Sequence, residues 1–496
     1  MNESTHPHET TATFGNLDRR VVLRASAWSV PVIAVASSAP LAAATGGTMA
    51  LFSSSWASST KYLTLTLLLV PDPVGTPTIT VTSDDTTVVP VSTTVISGGT
   101  VQVVVALPSA SGGDSVVLDI ASTGYSPLAT TVVLPAPGSL DTTFDPGAGL
   151  NNNGRALALQ PDGKIIVTGA FTAVDGTARG RIARLNADGS LDTTFSSGTG
   201  LSALGRAAAV LSDGKVVVTG DFTPIIGPSG VNRNFLARLN ANGSLDTTFS
   251  LNLNYIGLGL AVQSDGKVVV VGDFGNVAGV SRSRVARLNT DATLDGGFNP
   301  GLNDTGVAVA VQTDGKILVA GIFTFGAGTY RNRVLRMNAD GTIDTTFNPG
   351  IAPNPVSGLN NTGQALALQA DGKIIVTGDF TTVDNVSRNR IARLNTNGSL
   401  DTTFDPGVGL NGTGYAVAVQ ADGKIVVAGD FTTVNGVARD NIARLNTDGS
   451  LDTTFNPGLN GSGRALVLQP DGRILVTGFF TTADGTARSH IARLHG

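Results

Sequence analysis

Beyond residue 138 the apolar residues fall into short unbroken runs, cut by Asp-Gly and Asn-Gly pairs. The first such unit predicts a strand over 156–160, a turn at Pro161-Asp162-Gly163 and a second strand over 164–169. A third strand follows over 182–186, then a turn at Asp188-Gly189 and a fourth strand over 190–195. Runs of Ile and Val without polar alternation predict strands buried on both faces. The Asp-Gly and Asn-Gly pairs predict two-residue type I′ hairpins, because both central positions tolerate positive φ.

The unit recurs seven times. Asp-Gly-Lys returns at Asp162, Asp213, Asp265, Asp314, Asp371 and Asp422, and Asp-Gly-Arg at Asp471, at spacings of 51, 52, 49, 57, 51 and 49 residues. That period is close to the length of a propeller blade and too long for leucine-rich or ankyrin units. The first strand of each unit repeats small residues, such as Ala156/Ala158, Ala207/Ala209 and Ala416/Ala418, which suits strands converging on an axis. The motif Leu-Asp-Thr-Thr-Phe begins at Leu140, ahead of the first complete unit, and the last unit stops after Ile491-Ala492-Arg493-Leu494 without a fourth strand. The orphan segment 139–144 is therefore expected to pair with the last blade, closing a ring and removing two exposed edges. The expected architecture is all-β: a seven-bladed β-propeller over 138–496, preceded by a smaller domain.

That smaller domain spans 46–136. Its β-branched runs at 62–70, 78–82, 101–106, 115–120 and 130–134 are separated by Pro, Gly, Ser and Asp-Asp punctuation, which predicts a small immunoglobulin-like β-sandwich. Ahead of it, 1–44 reads as an export signal peptide. It holds Asp18-Arg19-Arg20-Val21-Val22-Leu23-Arg24, a mildly apolar stretch over 25–40 and an Ala42-Ala43-Ala44 cleavage site. The Arg pair resembles a twin-arginine signal; a general secretory signal with an incidental Arg pair is the other reading. Both place the mature protein outside the cytoplasm, secreted or at the cell surface. The apolar stretch is too short and too polar for a stable membrane span.

The repeat G-x-A-x-A-[VL]-Q-x-D-G-K-I-x-V-x-G-D-F … R-I-A-R-L-N-x-D-G-S-L-D-T-T-F resembles the delta-60 repeat of bacterial exported and surface proteins, over 138–496. The resemblance implies a β-propeller in an extracellular setting and names no activity.

Composition then narrows the chemistry. Charged residues are 14% of the chain, against about 25% in an average soluble protein. A net charge of −5 spread along the chain, with no basic patch, argues against a nucleic-acid partner. The absence of cysteine removes disulfides, thiolate metal sites and Cys nucleophiles. Of the histidines, only His490 and His495 lie in the predicted folded part, and the nearby Ser489 sits in no nucleophile-elbow motif. No catalytic residue, metal or cofactor is assigned. The stretch Asn186-Ala187-Asp188-Gly189-Ser190-Leu191-Asp192 is shorter than a calcium loop and lacks its bidentate Glu, so a hairpin turn explains it better. Asp192 and Arg184 have counterparts in every unit, which marks them as parts of the blade.

Function is expected on the opposite face, where the connections vary in length. They grow at 224–231 and 351–361, and variable loops on a rigid scaffold are where recognition sits. Two positions there break the sevenfold pattern. The residue entering the first strand is Arg155, Arg206, Leu258, Val307, Gln364, Tyr415 and Arg464 in order; the residue after the glycine of the second strand is Ala170, Asp221, Asp273, Ile322, Asp379, Asp430 and Phe479. In a closed ring Arg464, Arg155 and Arg206 fall on three consecutive blades near the axial mouth. The candidate ligand site is therefore Arg155, Arg206, Arg464, Tyr415, Gln364, Asp221, Asp273, Asp379 and Asp430, a polar pocket with an arginine side suited to a carboxylate or another anion. Pairing of these Arg with Asp of adjacent blades is the competing expectation. The function expected is an exported, monomeric binding module for a carbohydrate, peptide or surface protein. The alternative is an extracellular hydrolase or lyase acting on a polymer with Asp and Arg at the axis.

Overall fold

The computed structural model describes Ala34–Val35, most of 48–126, and 127–496 except 224, 227–230, 327–328 and 350–357. Among the described residues every regular element is a β-strand. The chain forms two compact units: 1–143 with 470–473 and 495–496, and 144–469 with 474–494.

The first unit contains β1 (Ala34–Val35), β2 (Thr48–Ala57), β3 (Tyr62–Val70), β4 (Ile79–Thr82), β5 (Val89–Ser97), β6 (Thr100–Ala106), β7 (Ser115–Ser122) and β8 (Leu128–Val133). They make two four-stranded antiparallel sheets, ordered β1-β8-β7-β4 and β2-β3-β6-β5. Alternate residues of β3 (Leu63, Leu65, Leu67, Leu69) and β6 (Val101, Val103, Val105) turn inward, because successive strand side chains point to opposite faces. They share one core with Ile79, Val81, Val116, Leu118, Ile120 and Val132 of the other sheet. Each such burial stabilises by roughly 1.5–3 kcal/mol. The apolar runs do not announce β2 and β5, since both are sheet edges with polar stretches, Ser53-Ser54-Ser55 and Ser92-Thr93-Thr94. Pro90 sits in β5, where a missing N–H is tolerated. The predicted export signal lies outside the described residues apart from Ala34 and Val35, which pair with Val132 and Thr131 of β8.

In the second unit each repeat gives one three-stranded antiparallel sheet and one short hairpin. The first repeat contributes β9 (Gly154–Leu159), β10 (Ile165–Gly169), the hairpin of β11 (Ala173–Val174) and β12 (Thr177–Ala178), and β13 (Ile182–Leu185). Every residue of β10 is buried, as an unbroken Ile/Val run between two neighbours requires. The predicted fourth strand is reduced to one bridge, Leu185 to Leu191. The Asp192 carboxylate captures the N–H and O–H of Thr194 at 2.9 and 2.6 Å, which turns the chain off the sheet at once. The turn assignment also changes. At Pro161-Asp162-Gly163 only Gly163 has positive φ, 83°, with Gly163 N–H donating to Gln160 O at 3.0 Å. That is a three-residue loop with a glycine bulge, not a type I′ turn. Two consecutive positive-φ residues occur instead between β11 and β12, at Asp175 (45°) and Gly176 (68°).

The repeated polar residues tie each repeat together. Asp192 Oδ2 meets Lys164 Nζ and Arg184 Nε, each at 2.7 Å, while the Arg184 guanidinium covers the Phe195 ring at 5.0 Å. Burial alone raises the Asp192 carboxyl, but hydrogen bonds from Lys164, Thr194 and Arg184 outweigh it and hold the group far below the usual carboxylate range. Asp246, Asp344, Asp401 and Asp452 are depressed in the same way. A carboxyl with a folded pKa below its unfolded value, about 3.9, contributes stability that is complete above that value and lost progressively as pH falls from there through the folded one. His490, lowered by burial, adds a smaller loss of the same sign below its ordinary value of about 6.5. Thermal unfolding should therefore show a shallow fall in Tm below about pH 6.5 and a steep one below about pH 4. A flat profile down to about pH 3 would contradict this network.

The inner strands of the seven repeats, β9 and its counterparts Gly205–Val210, Gly257–Val262, Gly306–Val311, Gly363–Leu368, Gly414–Val419 and Gly463–Leu468, each pack on the next, and the last packs on β9. Phe144, Leu150 and Ile165 share a core with Leu475 and Ile491 of the final repeat. Arg493 Nη1 donates to Ala187 O at 2.6 Å, as Arg184 Nη1 does to Ala241 O one repeat on. Within the first unit, Gly138 N–H donates to His495 O at 2.8 Å and His495 N–H to Ser139 O at 2.9 Å. Arg473 Nε lies 3.2 Å from Asp141 Oδ2. These contacts mirror those joining the third strand and following turn of each other repeat, such as Asn186 N–H to Ser190 O at 2.8 Å.

Candidate functional site

The site residues flank a tight backbone approach. β9 starts at Gly154, which faces Gly169 across a register shift in the β9–β10 pairing. A Cβ on Gly154 would stand 1.9 Å from Thr477 Oγ1 of the last repeat, and one on Gly169 would stand 2.3 Å from Asn153 O. Side chains are excluded at both positions, so neighbouring repeats close up there. The next residue along each strand is the first free to carry a side chain: Arg155 after Gly154 and Ala170 after Gly169, with equivalents in every repeat.

The structure sorts the nine predicted residues into two groups. The first is engaged. Arg206 forms a two-pronged pair with Asp221, Nε to Oδ1 at 2.5 Å and Nη2 to Oδ2 at 2.9 Å. Gln364 Nε2 donates to Asp379 Oδ2 at 2.9 Å, and Thr413 Oγ1 to Asp379 Oδ1 at 2.5 Å. Asp273 lies 3.6 Å from Arg284. Arg206 thus follows the competing expectation of an Asp partner, though within its own repeat and not across blades.

The second group is gathered around two rings. The Arg464 guanidinium lies 3.6 Å from the Tyr415 ring centre and 4.9 Å from that of Phe479; Arg155 lies 5.2 Å from Phe479. Phe479 is therefore flanked by two cations, and it remains 41% exposed. Neither guanidinium has a hydrogen bond or ion pair among the described residues, and the Nε of each is buried without a partner. Burial, then the Arg464 and Arg206 guanidinia, push Arg155 down to about 10, against the opposing pull of Tyr415 and Asp221. Asp430 is exposed, with its N–H donating to Thr413 O at 2.8 Å and no described partner for its carboxylate.

Such an arrangement can hold an anion. Two half-buried cations without counter-ions attract a carboxylate, and the aromatic faces orient both guanidinia. Sequence reasoning assigned no role to Phe479, although it broke the pattern of Asp at that position; its place between two arginines follows only once the last repeat packs on the first. Arg284 and Thr413 were missed because their partners come from other strands. The two longer connections fall largely outside the described residues, at 224, 227–230 and 350–357. Among the described residues no group of three or more His, Asp or Glu is placed to hold a metal, and no helix is long and apolar enough to cross a membrane. The carboxyl raised by burial is Asp384, in a hairpin turn where it accepts the Gly358 N–H at 2.8 Å.

Residues 160–195, 211–249, 263–298, 312–347, 369–404, 420–455 and 469–496 match the model of a family described as "Domain of unknown function (DUF5122) beta-propeller". No curated protein matches the chain. Among solved structures, a crystal structure of a protein of unknown function from Bacteroides caccae is similar at 12% identity, over 58% of this chain and 91% of that one, with a TM-score of 0.29.

Proposed function

From a chain that carries seven repeats of a β-propeller domain, we propose an exported binding module, extracellular or at the cell surface, that takes an anionic ligand at the axial mouth of a closed ring. The observation that carries this reading is the pair Arg155 and Arg464, half-buried, without counter-ions and stacked around Phe479. The arginine repeated in the third strands is by contrast engaged, as Arg184, Arg238, Arg336, Arg393 and Arg444 are with Asp. Two cations left unmatched at one place are costly for the free protein and useful only with a ligand. The Arg19-Arg20 signal and the likeness to delta-60 repeats support export, and the two-sheet unit before the repeats fits an immunoglobulin-like spacer. A hydrolase or lyase would need a carboxylate poised for proton transfer at the axis. Asp221 and Asp379 are engaged in side-chain pairs, which leaves Asp430 as a single exposed carboxylate there without a described partner.

Cell fractionation and ligand arrays test this reading. The protein should appear outside the cytoplasm with its N-terminus near residue 45, and Arg19→Lys with Arg20→Lys should retain it inside if the twin-arginine route is used. On glycan and peptide arrays, with and without Ca²⁺, the mature protein should select anionic ligands regardless of calcium. A cytoplasmic protein of full length, or selection of neutral ligands only, would overturn the proposal.

A further inference from the structure

We propose that the anion taken at Arg155 and Arg464 is the carboxylate of an acidic sugar, a uronic-acid unit of a polysaccharide, whose ring lies on Phe479 and whose hydroxyls reach Asp430. This inference rests on the anion-binding reading above and adds the ligand class.

Three features lie together on the last three members of the ring, counting through to the first repeat. The cations are Arg464 and Arg155, on the seventh and first repeats. The apolar face is Phe479, 41% exposed between them, with the Tyr415 ring centre 3.6 Å from the Arg464 guanidinium. The acceptor is Asp430, which follows Gly429; Gly429 pairs with Gly414, the residue before Tyr415. Asp430 is exposed and has no described partner for its carboxylate, while the other acidic groups at this level, Asp221, Asp273 and Asp379, are already engaged. A matching ligand must combine one negative charge, a flat C–H face and hydroxyl donors within a few ångströms of each other. A uronic acid does so in one pyranose ring. Inorganic phosphate has the charge but no face for Phe479, and its second charge would be repelled by Asp430. An acidic peptide has carboxylates on flexible stems and no hydroxyls for Asp430, and pays more ordering entropy on binding.

The decisive experiment is titration calorimetry on the mature full-length protein at low salt. The probes are oligogalacturonate, oligoglucuronate and oligomannuronate, the methyl ester of oligogalacturonate, poly-glutamate and inorganic phosphate. At least one uronate should bind; for galacturonate, the neutral ester should be weaker by at least about tenfold, since the charge-paired contact is lost. Phe479→Ala should weaken the uronate by about tenfold, Phe479→Trp should restore it, and Asp430→Asn should weaken it by several-fold, as expected for a ring face and a hydroxyl acceptor. Thermal melting of each variant separates loss of binding from loss of fold. Equal binding of ester and acid, indifference to Phe479, or no uronate binding would overturn the sugar assignment. Tight poly-glutamate or phosphate binding that Arg155→Ala with Arg464→Ala abolishes would remove the sugar but keep the anion site; no anionic probe binding at all would remove both.

Discussion

A chain beginning at residue 145 is expected to lose most of the stability of its repeats. The deleted segment carries Phe144, fully buried with Leu475 and Ile491 of the last repeat and Leu150 and Ile165 of the first. Removing a buried Phe side chain costs about 3–5 kcal/mol. It also carries Asp141, one of two carboxylates beside the buried Arg473, which keeps Asp471 at 3.1 Å; losing one charged partner costs roughly 1.5–3 kcal/mol more. The two hydrogen bonds between Gly138, Ser139 and His495 go with them, leaving the third strand of the last repeat with an open edge. Against a typical domain stability of about 5–15 kcal/mol, the loss is most of the total. Urea unfolding should show the truncated chain unfolded or with its midpoint lowered severalfold, and Phe144→Ala and Asp141→Asn each intermediate. A truncated chain as stable as the parent would show that the segment does not hold the last repeat.

Replacing both Arg155 and Arg464 by Ala is expected to cut anion affinity by at least about a hundredfold, the effect of removing two charge-assisted contacts, while leaving the melting temperature equal or higher. Stability should not fall, because neither guanidinium has a hydrogen bond or ion pair among the described residues, and burial and mutual repulsion already work against Arg155. Their stacking on Tyr415 and Phe479 offsets only part of that, at about 0.5–1 kcal/mol each. Arg184→Ala makes the contrasting case. It leaves Asp192 without one of its cations and uncovers Phe195, so it should lower the melting temperature by several degrees and leave anion affinity alone. Calorimetric binding and melting curves on the two variants give four numbers with opposite patterns. Equal destabilisation by both would make Arg155 and Arg464 blade-building residues like Arg184.

Much of this was legible along the chain. Unbroken Ile/Val runs located the fully buried middle strands, and alternating small residues located the inner ones, because both patterns record packing that every repeat shares. Illegible features depended on competition between local groups. Ser190–Phe195 has a strand-like composition, but Asp192 draws Thr194 onto itself and ends the strand after Leu191. Asp-Gly signals a turn without choosing its type, so the type I′ expectation fails at Gly163, where the loop is bulged, while two consecutive positive-φ residues do occur at Asp175-Gly176. At the site, breaks in the sevenfold pattern led to Arg155, Arg464 and Tyr415. They could not reveal that Arg206 is taken up by Asp221, fifteen residues on across a hairpin, nor that Phe479 lies between two cations from different repeats.

The account depends most on the segment ahead of Phe144 pairing with the chain after Leu494, beside the packing of the last repeat's inner strand on β9 that makes Arg464 and Arg155 neighbours. Amide hydrogen exchange at His495 reads this directly, because its N–H donates to Ser139 O at 2.9 Å. The predicted result is protection matching that of Asn186, whose N–H makes the equivalent bond to Ser190 O at 2.8 Å. Exchange of His495 at the rate of an unstructured chain end, with Asn186 still protected, would contradict it.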